Sequence, residues 1–394
     1  MTTTDVFLKV LRAAMWGEAL DWKGRQLTHM QYVSLMSLAR EQAVAGLVGQ
    51  ALMDSGVRLE REDALEMFGI VQQIRQRNAQ MDEAVVTLCH EMEAQGIRFF
   101  VFKGQTLAPL YPDGGLRQCG DIDFFVYPED WKKAVELLKV RVERGEVKDY
   151  VDNTTEKDVQ YTYQGVAYEM HRMLTLFMYP KHSRYWENVV MGEITFLKGQ
   201  ATKVERTGTI TGTGTGTVEV NGDEVPTLAA TYNALYVFVH IFQHLISDGI
   251  GLRQFVDWAR VLNDNDNGNE KSGIDVVILQ KHLEGIGLRK AYSGLGAILT
   301  DYLGLPEEKF PFAITEDDHK KAPALFENMI EMGNFGHNKH YKKGRGVVHG
   351  IQHLGRITLQ ARRFYHYAPA EAWWHIPYMF KWWGKKVCRM MFRR

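Results

Sequence analysis

The sequence predicts an α+β fold, a mixed β-sheet core flanked by N-terminal and C-terminal helical modules, and three observations predict it. Apolar residues recur at helical spacing through residues 1–96. Short β-type runs then alternate with helical stretches and an apparent hairpin through 97–226, and helical periodicity returns over 227–394. A chain of 394 residues exceeds what one hydrophobic core usually serves, so the three stretches read as separate modules.

At the start, Phe7, Leu8, Leu11, Ala14 and Met15 share a helical face, with Thr4 and Asp5 placed to cap it. A second helix is expected over Thr28 to Gln42 through Tyr32, Leu35, Met36 and Leu38. A third, longer one runs over Glu62 to Gln95 and ends at Gly96, a C′ glycine. The period changes at Ile97. Arg98 to Phe102 is a β-type run stopped by Lys103-Gly104; a short helix over Gln105 to Leu110, a turn over Pro112 to Gly115 and a strand over Asp121 to Val126 follow. Pro128-Glu129-Asp130 opens a helix through Trp131, Ala134, Val135 and Leu138. Val159 to Tyr163 and Val166 to His171 read as strands joined by a Gln164-Gly165 hairpin turn. Between Ile194 and Pro226 lies a run, Thr207 to Thr217, of nearly alternating Thr and Gly. It lacks the Lys-Ser/Thr of a phosphate-binding loop and no clear helix follows it, so a hairpin or loop is expected there. Helices resume over Thr231 to Ser247, Leu252 to Leu262 and Val276 to Leu283 and onward, with a turn-rich loop at Asn263 to Gly268.

Hydrophobic residues make up 45% of the chain and charged residues 24%, which supplies ample material for burial and excludes general disorder. The net charge of -1 gives no overall attraction for nucleic acid, and no specific nucleic-acid partner is expected. Cys89, Cys119 and Cys388 lie far apart and form no metal-ligand cluster, as expected of a reduced cytoplasm. The N-terminus lacks the pattern of a signal peptide, and charges interrupt every stretch that approaches the ~20 apolar residues of a membrane span. A cytoplasmic protein, at most peripheral to the inner face of the membrane, is the expectation.

The strongest chemical signal runs from Val101-Phe102-Lys103-Gly104-Gln105, through Tyr111-Pro112-Asp113 and Arg117, to Gly120-Asp121-Ile122-Asp123-Phe124-Phe125-Val126. On a strand, Asp121 and Asp123 project from one face while Ile122 and Phe124 face the core. Two adjacent carboxylates repel each other unless a cation bridges them. Their hard oxygens suit Mg²⁺, which takes one or two protein carboxylates together with substrate phosphates. Replacing both by Asn is expected to leave the fold intact or stabilise it by relieving that repulsion. A glycine that ends a strand before a helix lets the backbone approach a phosphate, whose charge the helix N-terminus favours. Asp-x-Asp alone occurs in many surface strands; the apolar strand around it and the preceding strand-Gly-helix unit carry the functional reading here.

From Phe100 to Val126 the chain resembles the DNA polymerase beta-like nucleotidyltransferase superfamily, and within it a bacterial branch called uncharacterised nucleotidyltransferases. There the turn reads Lys-Gly and is followed by Tyr-Pro, an Arg and Gly-Asp-Ile-Asp. The chain departs from the superfamily at Gln105, where Ser or Gly commonly follows the glycine, and in a longer interval before Asp121. The resemblance implies a nucleotidyltransferase-type core and Mg²⁺ (or Mn²⁺) held by Asp121, Asp123 and a third carboxylate, Glu169. It implies a nucleoside triphosphate substrate, ATP being the expected one, lined by Lys103, Gly104 and Gln105. Glu169 would also take the proton of the acceptor hydroxyl, with a solvent-facing Glu as the alternative. His171, on the same strand face, would orient Glu169 or contact a phosphate, or be purely structural. Arg117 would neutralise phosphate charge, or be a surface arginine.

A second group comprises His240 and His244, the Gly251-Leu252-Arg253 run, and Asp257-Trp258. The two histidines have the one-turn spacing of a zinc pair, but the glutamate of a zinc-protease motif is missing. The branch carries a similar run, which implies closure over the nucleotide or acceptor with Arg253 near the phosphates; a buried His/Asp/Arg network is the open alternative. The tail from Trp373 to Arg394 alternates aromatic and basic residues, a pattern suited to a membrane surface, an acidic partner or RNA, or to a core-packing helix with a basic end. The expected activity is Mg²⁺-dependent transfer of a nucleoside monophosphate to a hydroxyl or phosphate acceptor on a small molecule, glycan or protein. A catalytically inactive binding or scaffold protein of the same fold, at a membrane, is the alternative.

Overall fold

The computed structural model describes residues 2–152, 157–196, 214–247, 249–264, 273–333, 355 and 358–377. Helices open the chain. α1 (Thr3–Trp16) is capped by Thr2, two residues earlier than Thr4, because Thr2 and Asp5 form a reciprocal capping box: Asp5 N donates to Thr2 Oγ1 at 3.1 Å and Thr2 N to Asp5 Oδ2 at 2.7 Å. α2 (His29–Glu41) is capped the same way by Thr28 and Gln31. α3 (Ala45–Asp54) follows, and α4 (Arg61–Ala94) runs 34 residues before Gly96 turns the chain at φ 57°.

The sheet begins with β1 (Phe99–Phe102). The helix expected over Gln105 to Leu110 is instead a pair of 3-10 turns, Gly104–Thr106 and Ala108–Leu110. Lys103 and Gly104 both have positive φ, and Pro109 lacks an amide hydrogen, so no continuous α-helix forms. After β2 (Asp121–Val126) and α5 (Trp131–Glu143) come β3 (Val147–Asp152), β4 (Asp158–Tyr163) and β5 (Val166–His171), the last two joined by Gln164-Gly165 with φ of 50° and 77°. The order is β1-β2-β5-β4-β3, with β2 and β5 parallel and the other pairs antiparallel.

α6 (Pro180–Tyr185), a π-turn at Trp186–Val190 and α7 (Met191–Phe196) lead on. β6 (Thr215–Val220) and β7 (Asp223–Leu228) then form a separate hairpin around Asn221-Gly222. Most of the Thr/Gly run lies outside the described residues; its end, from Thr215, is the first strand of that hairpin. α8 (Ala230–Ile246), α9 (Leu252–Asn263), α10 (Val276–Gly285), α11 (Arg289–Asp301) and α12 (Glu316–Met332) follow, and residues 358–364 and 369–377 are helical as well. The basic aromatic tail beyond residue 377 lies outside the described residues, and among those described no helix is long and apolar enough to cross a membrane.

Strand alternation splits the burial into two layers. Phe99, Val101, Ile122, Phe124, Val126, Tyr168 and Met170 pack on the second half of α4 through Met81, Val85, Leu88 and Met92. The opposite face supplies Phe100, Phe102 and Phe125 to the larger core shared with the helices, where Phe102 meets Tyr236 of α8 edge to face at 5.1 Å. Asp121 and Asp123 belong to this second face, at the end of β2 where that core opens.

Candidate active site

Register puts the carboxylates together. In the parallel β2–β5 pairing Asp123 stands opposite Glu169, and in the antiparallel β1–β2 pairing it stands opposite Phe102, the residue before Lys103. A cavity of about 200 Å³ opens there, lined by Asp121, Asp123 and Glu169 from the sheet, Lys103 and Gly104 from the turn, Lys157, and Arg117. His240 and His244 of α8 and Arg253 and Asp257 of α9 close its other side. Of the residues singled out in the sequence, Gln105 and His171 do not line this space. Gln105 is buried and its Nε2 donates to Asp82, whereas His171 lies fully buried behind the carboxylates.

Asp123 is held by two donors on one oxygen: Lys103 Nζ and His171 Nε2 each lie 2.9 Å from Oδ1. Nε2 is also 3.4 Å from Glu169 Oε2, whose Oε1 accepts from Gln160 at 3.1 Å. Burial opposes ionisation of Asp123, but the Lys103 ammonium and the His171 hydrogen bond outweigh it and hold the carboxyl well below the usual range. Asp121 behaves oppositely: burial, and then the charge of Asp123, push it up to about 6. Ligand atoms of Asp123, Glu169 and His171 lie within 4.8 Å of one another, whereas Asp121 shares the cleft but stands outside that trio. Burial, reinforced by Lys103, His244, Lys157 and Arg253, depresses His240 well below an ordinary histidine, so its ring is neutral. The rings of His240 and His244 meet edge to face at 4.5 Å, and neither joins a converging metal-ligand set among the described residues.

Arg117 and Asp257 form a buried bidentate pair, Nε to Oδ1 at 2.7 Å and Nη2 to Oδ2 at 2.8 Å, and Tyr111 donates to the same carboxylate. Arg253, one turn earlier on α9, donates to the Gln118 carbonyl at 2.7 Å, and Arg260, a turn later, to that of Leu110 at 2.6 Å. One stripe of α9 therefore clamps the connection between β1 and β2 at three points. Two buried guanidinium donors find no partner among the described residues, Arg117 Nη1 and Arg253 Nε, and both side chains line the cleft. Unpartnered buried donors of this charge call for an anion.

Lys157 is the charged cleft residue that sequence reasoning missed. Burial depresses its pKa, as does Lys103, the next contributor. Set between Glu156 and Asp158, it carries no signal that separates it from a solvated charge. A larger groove of about 630 Å³ lies among α1, α3 and Pro112, but its arginine, Arg75, is already bonded to Asp113 at 2.7 Å, and among the described residues its acidic side chains, Glu18, Asp21, Asp54 and Asp113, form no converging ligand group.

A family model described as "Uncharacterised nucleotidyltransferase" matches residues 29–294. Among solved structures, the chain is similar to an antigenic nucleotidyltransferase-like protein from Paracoccidioides brasiliensis, at 14% identity over 58% of this chain and 95% of that one, with a TM-score of 0.33. No curated protein matches the chain.

Proposed function

The chain belongs to the uncharacterised nucleotidyltransferase family, and we propose that its cleft transfers a nucleoside monophosphate from ATP to a hydroxyl or phosphate acceptor, with Mg²⁺ and with release of pyrophosphate. The observation that carries this reading is the meeting, in one cavity, of Asp121, Asp123 and Glu169 with two guanidinium donors that are unpartnered among the described residues. The four acidic side chains lining it, Asp121, Asp123, Glu169 and Asp257, are matched by Lys103, Lys157, Arg117 and Arg253. A balanced site of this kind accepts a polyanion most readily when divalent cations arrive with it.

The donor set fits such a cation. Asp121, Asp123 and Glu169 offer hard oxygens, and burial, followed by the charge of Asp123, raises the pKa of Asp121 despite Lys103 and Arg253 nearby. When bound, Mg²⁺ (or Mn²⁺) supplies charge neutralisation at the phosphates and acidifies an acceptor hydroxyl. Asp121, Asp123 and Glu169 would hold it. His171 positions two of these carboxylates through Nε2. Lys103, Arg117 Nη1 and Arg253 Nε hold phosphate oxygens, Gly104 keeps the turn free of a side chain beside them, and Lys157 adds a fourth cation. Glu169, half-buried where Asp123 is buried, accepts the acceptor's proton. A space of about 200 Å³ takes phosphates and metal, which leaves the base and the acceptor toward the opening.

The test uses ATP labelled at the α-phosphate, incubated with protein, Mg²⁺ and a cell extract as the acceptor pool. Label entering an acceptor fraction with stoichiometric pyrophosphate, and lost in Asp121→Asn/Asp123→Asn, supports the reading. Label transfer that survives the double replacement overturns it, as does an extract in which neither product forms, the result expected of a binding or scaffold protein.

A further inference from the structure

Lys103 combines three features that the proposed reaction does not by itself require. Its backbone sits at φ 59°, ψ -153°, a strained region that residues with a side chain seldom occupy. That conformation is locked in place, because its carbonyl accepts from both the amide and the hydroxyl of Thr106, at 3.0 and 2.7 Å. Its ammonium is lodged 2.9 Å from Asp123 Oδ1, with the rings of Phe102 and Tyr236 at 5.2 and 5.8 Å. The carboxylate it holds is the one whose ligand atom converges with those of Glu169 and His171.

We propose that Lys103 is a built-in counter-ion that competes with the divalent metal for Asp123, so that metal binding frees its ammonium for the triphosphate. The inference rests on the functional reading above. Two cations on one carboxylate in a buried site repel strongly, so the arriving metal and the resident lysine exclude each other. The locked main chain keeps the lysine at the cleft, and its flexible stem lets the charged end move. Once freed, the ammonium is satisfied by phosphate oxygens. Metal and nucleotide therefore bind with positive coupling, and by linkage each raises the affinity of the other.

The test is Mn²⁺ titration of the full chain, followed by electron paramagnetic resonance, with and without a non-hydrolysable ATP analogue. Without nucleotide, Lys103→Gln should bind Mn²⁺ about tenfold tighter than wild type, or more, since a charge-assisted competitor is gone. Lys103→Arg, which keeps the charge, should bind as weakly as wild type. The analogue should tighten Mn²⁺ binding in wild type far more than in Lys103→Gln. Equal or weaker binding by Lys103→Gln, in a series where Asp123→Asn abolishes binding, overturns the inference and leaves the functional reading standing. Mn²⁺ binding that Asp123→Asn does not affect, or no saturable binding by any form, overturns both. Should Lys103→Gln prove too unstable to titrate, the rise in Tm on adding Mn²⁺ decides: a larger rise than in wild type supports the competition, and an equal or smaller one contradicts it.

Discussion

Asp123 carries two donors on one oxygen, while Asp121, two residues earlier on the same strand face, lies beside the same charges without such a bond. The relief expected from replacing both by Asn therefore splits into two opposite effects. In the metal-free protein Asp121 ionises near pH 6, against 3.8 for an ordinary aspartate, so between those values the folded chain holds a proton that the unfolded chain has released. Stability falls as pH rises through that window, and the penalty is fully present above it. Asp121→Asn should remove this slope and raise stability at pH 7 by about 1–3 kcal/mol, read by denaturant titration in EDTA at pH 4, 5, 6 and 7. Asp123→Asn should instead destabilise by about 3–5 kcal/mol, because it strands the Lys103 ammonium in a buried site. The period-two pattern of β2 made the shared face of the two aspartates legible in the sequence. Their unequal partners were not, because the lysine reaches Asp123 only through the antiparallel register that sets Phe102 opposite it.

Among the elements, α9 does most to hold the site in shape, and its clamp is testable. Asp257→Asn should cost about 3–5 kcal/mol by leaving Arg117 buried without its counter-charge. Arg117→Met/Asp257→Leu should regain most of that loss, as a drop in Tm much smaller than for either single variant. A second support is the close approach of α3 to the same connection: a Cβ on Gly46 would meet the Leu116 carbonyl oxygen at 2.4 Å. Gly46→Ala should destabilise by about 1–3 kcal/mol. It should also raise the KM for ATP, since Leu116 adjoins Arg117 at the cleft. That helix was illegible in the sequence: α3 has no side-chain cap, and Gly46 and Gly49 interrupt its apolar run. β3 escaped notice for a different reason, as an edge strand whose Lys148, Asp149 and Asp152 face solvent. Long elements with reciprocal caps, such as α2, or with glycine stops, such as α4, were legible almost to the residue.

Across the whole molecule, the order helices, sheet, helices follows from periodicity alone, whereas the cleft depends on how the layers meet. β2 and β5 supply carboxylates from one side and α8 and α9 supply histidines and an arginine from the other, so the site exists only when sheet and helices are docked. A ligand that bridges them should stabilise the entire chain: Mg²⁺ with ATP at 100 times its Kd should add about 2.7 kcal/mol, seen as a rise in Tm larger than either component produces alone. Lys157 and Arg253, far apart in sequence, meet in the cleft only through this docking; the run around Arg253 was legible through its resemblance to a family, whereas the local pattern around Lys157 carried no trace of the cleft. The central claim is that the carboxylates and the guanidinium donors together bind a metal-linked triphosphate. It is tested most directly by calorimetric titration of ATP into the wild-type chain and into Asp121→Asn/Asp123→Asn, each with Mg²⁺ and with EDTA. Saturable binding to wild type that requires Mg²⁺ and disappears in the double variant is the predicted result; binding indifferent to Mg²⁺, or undiminished by the double replacement, would contradict the account.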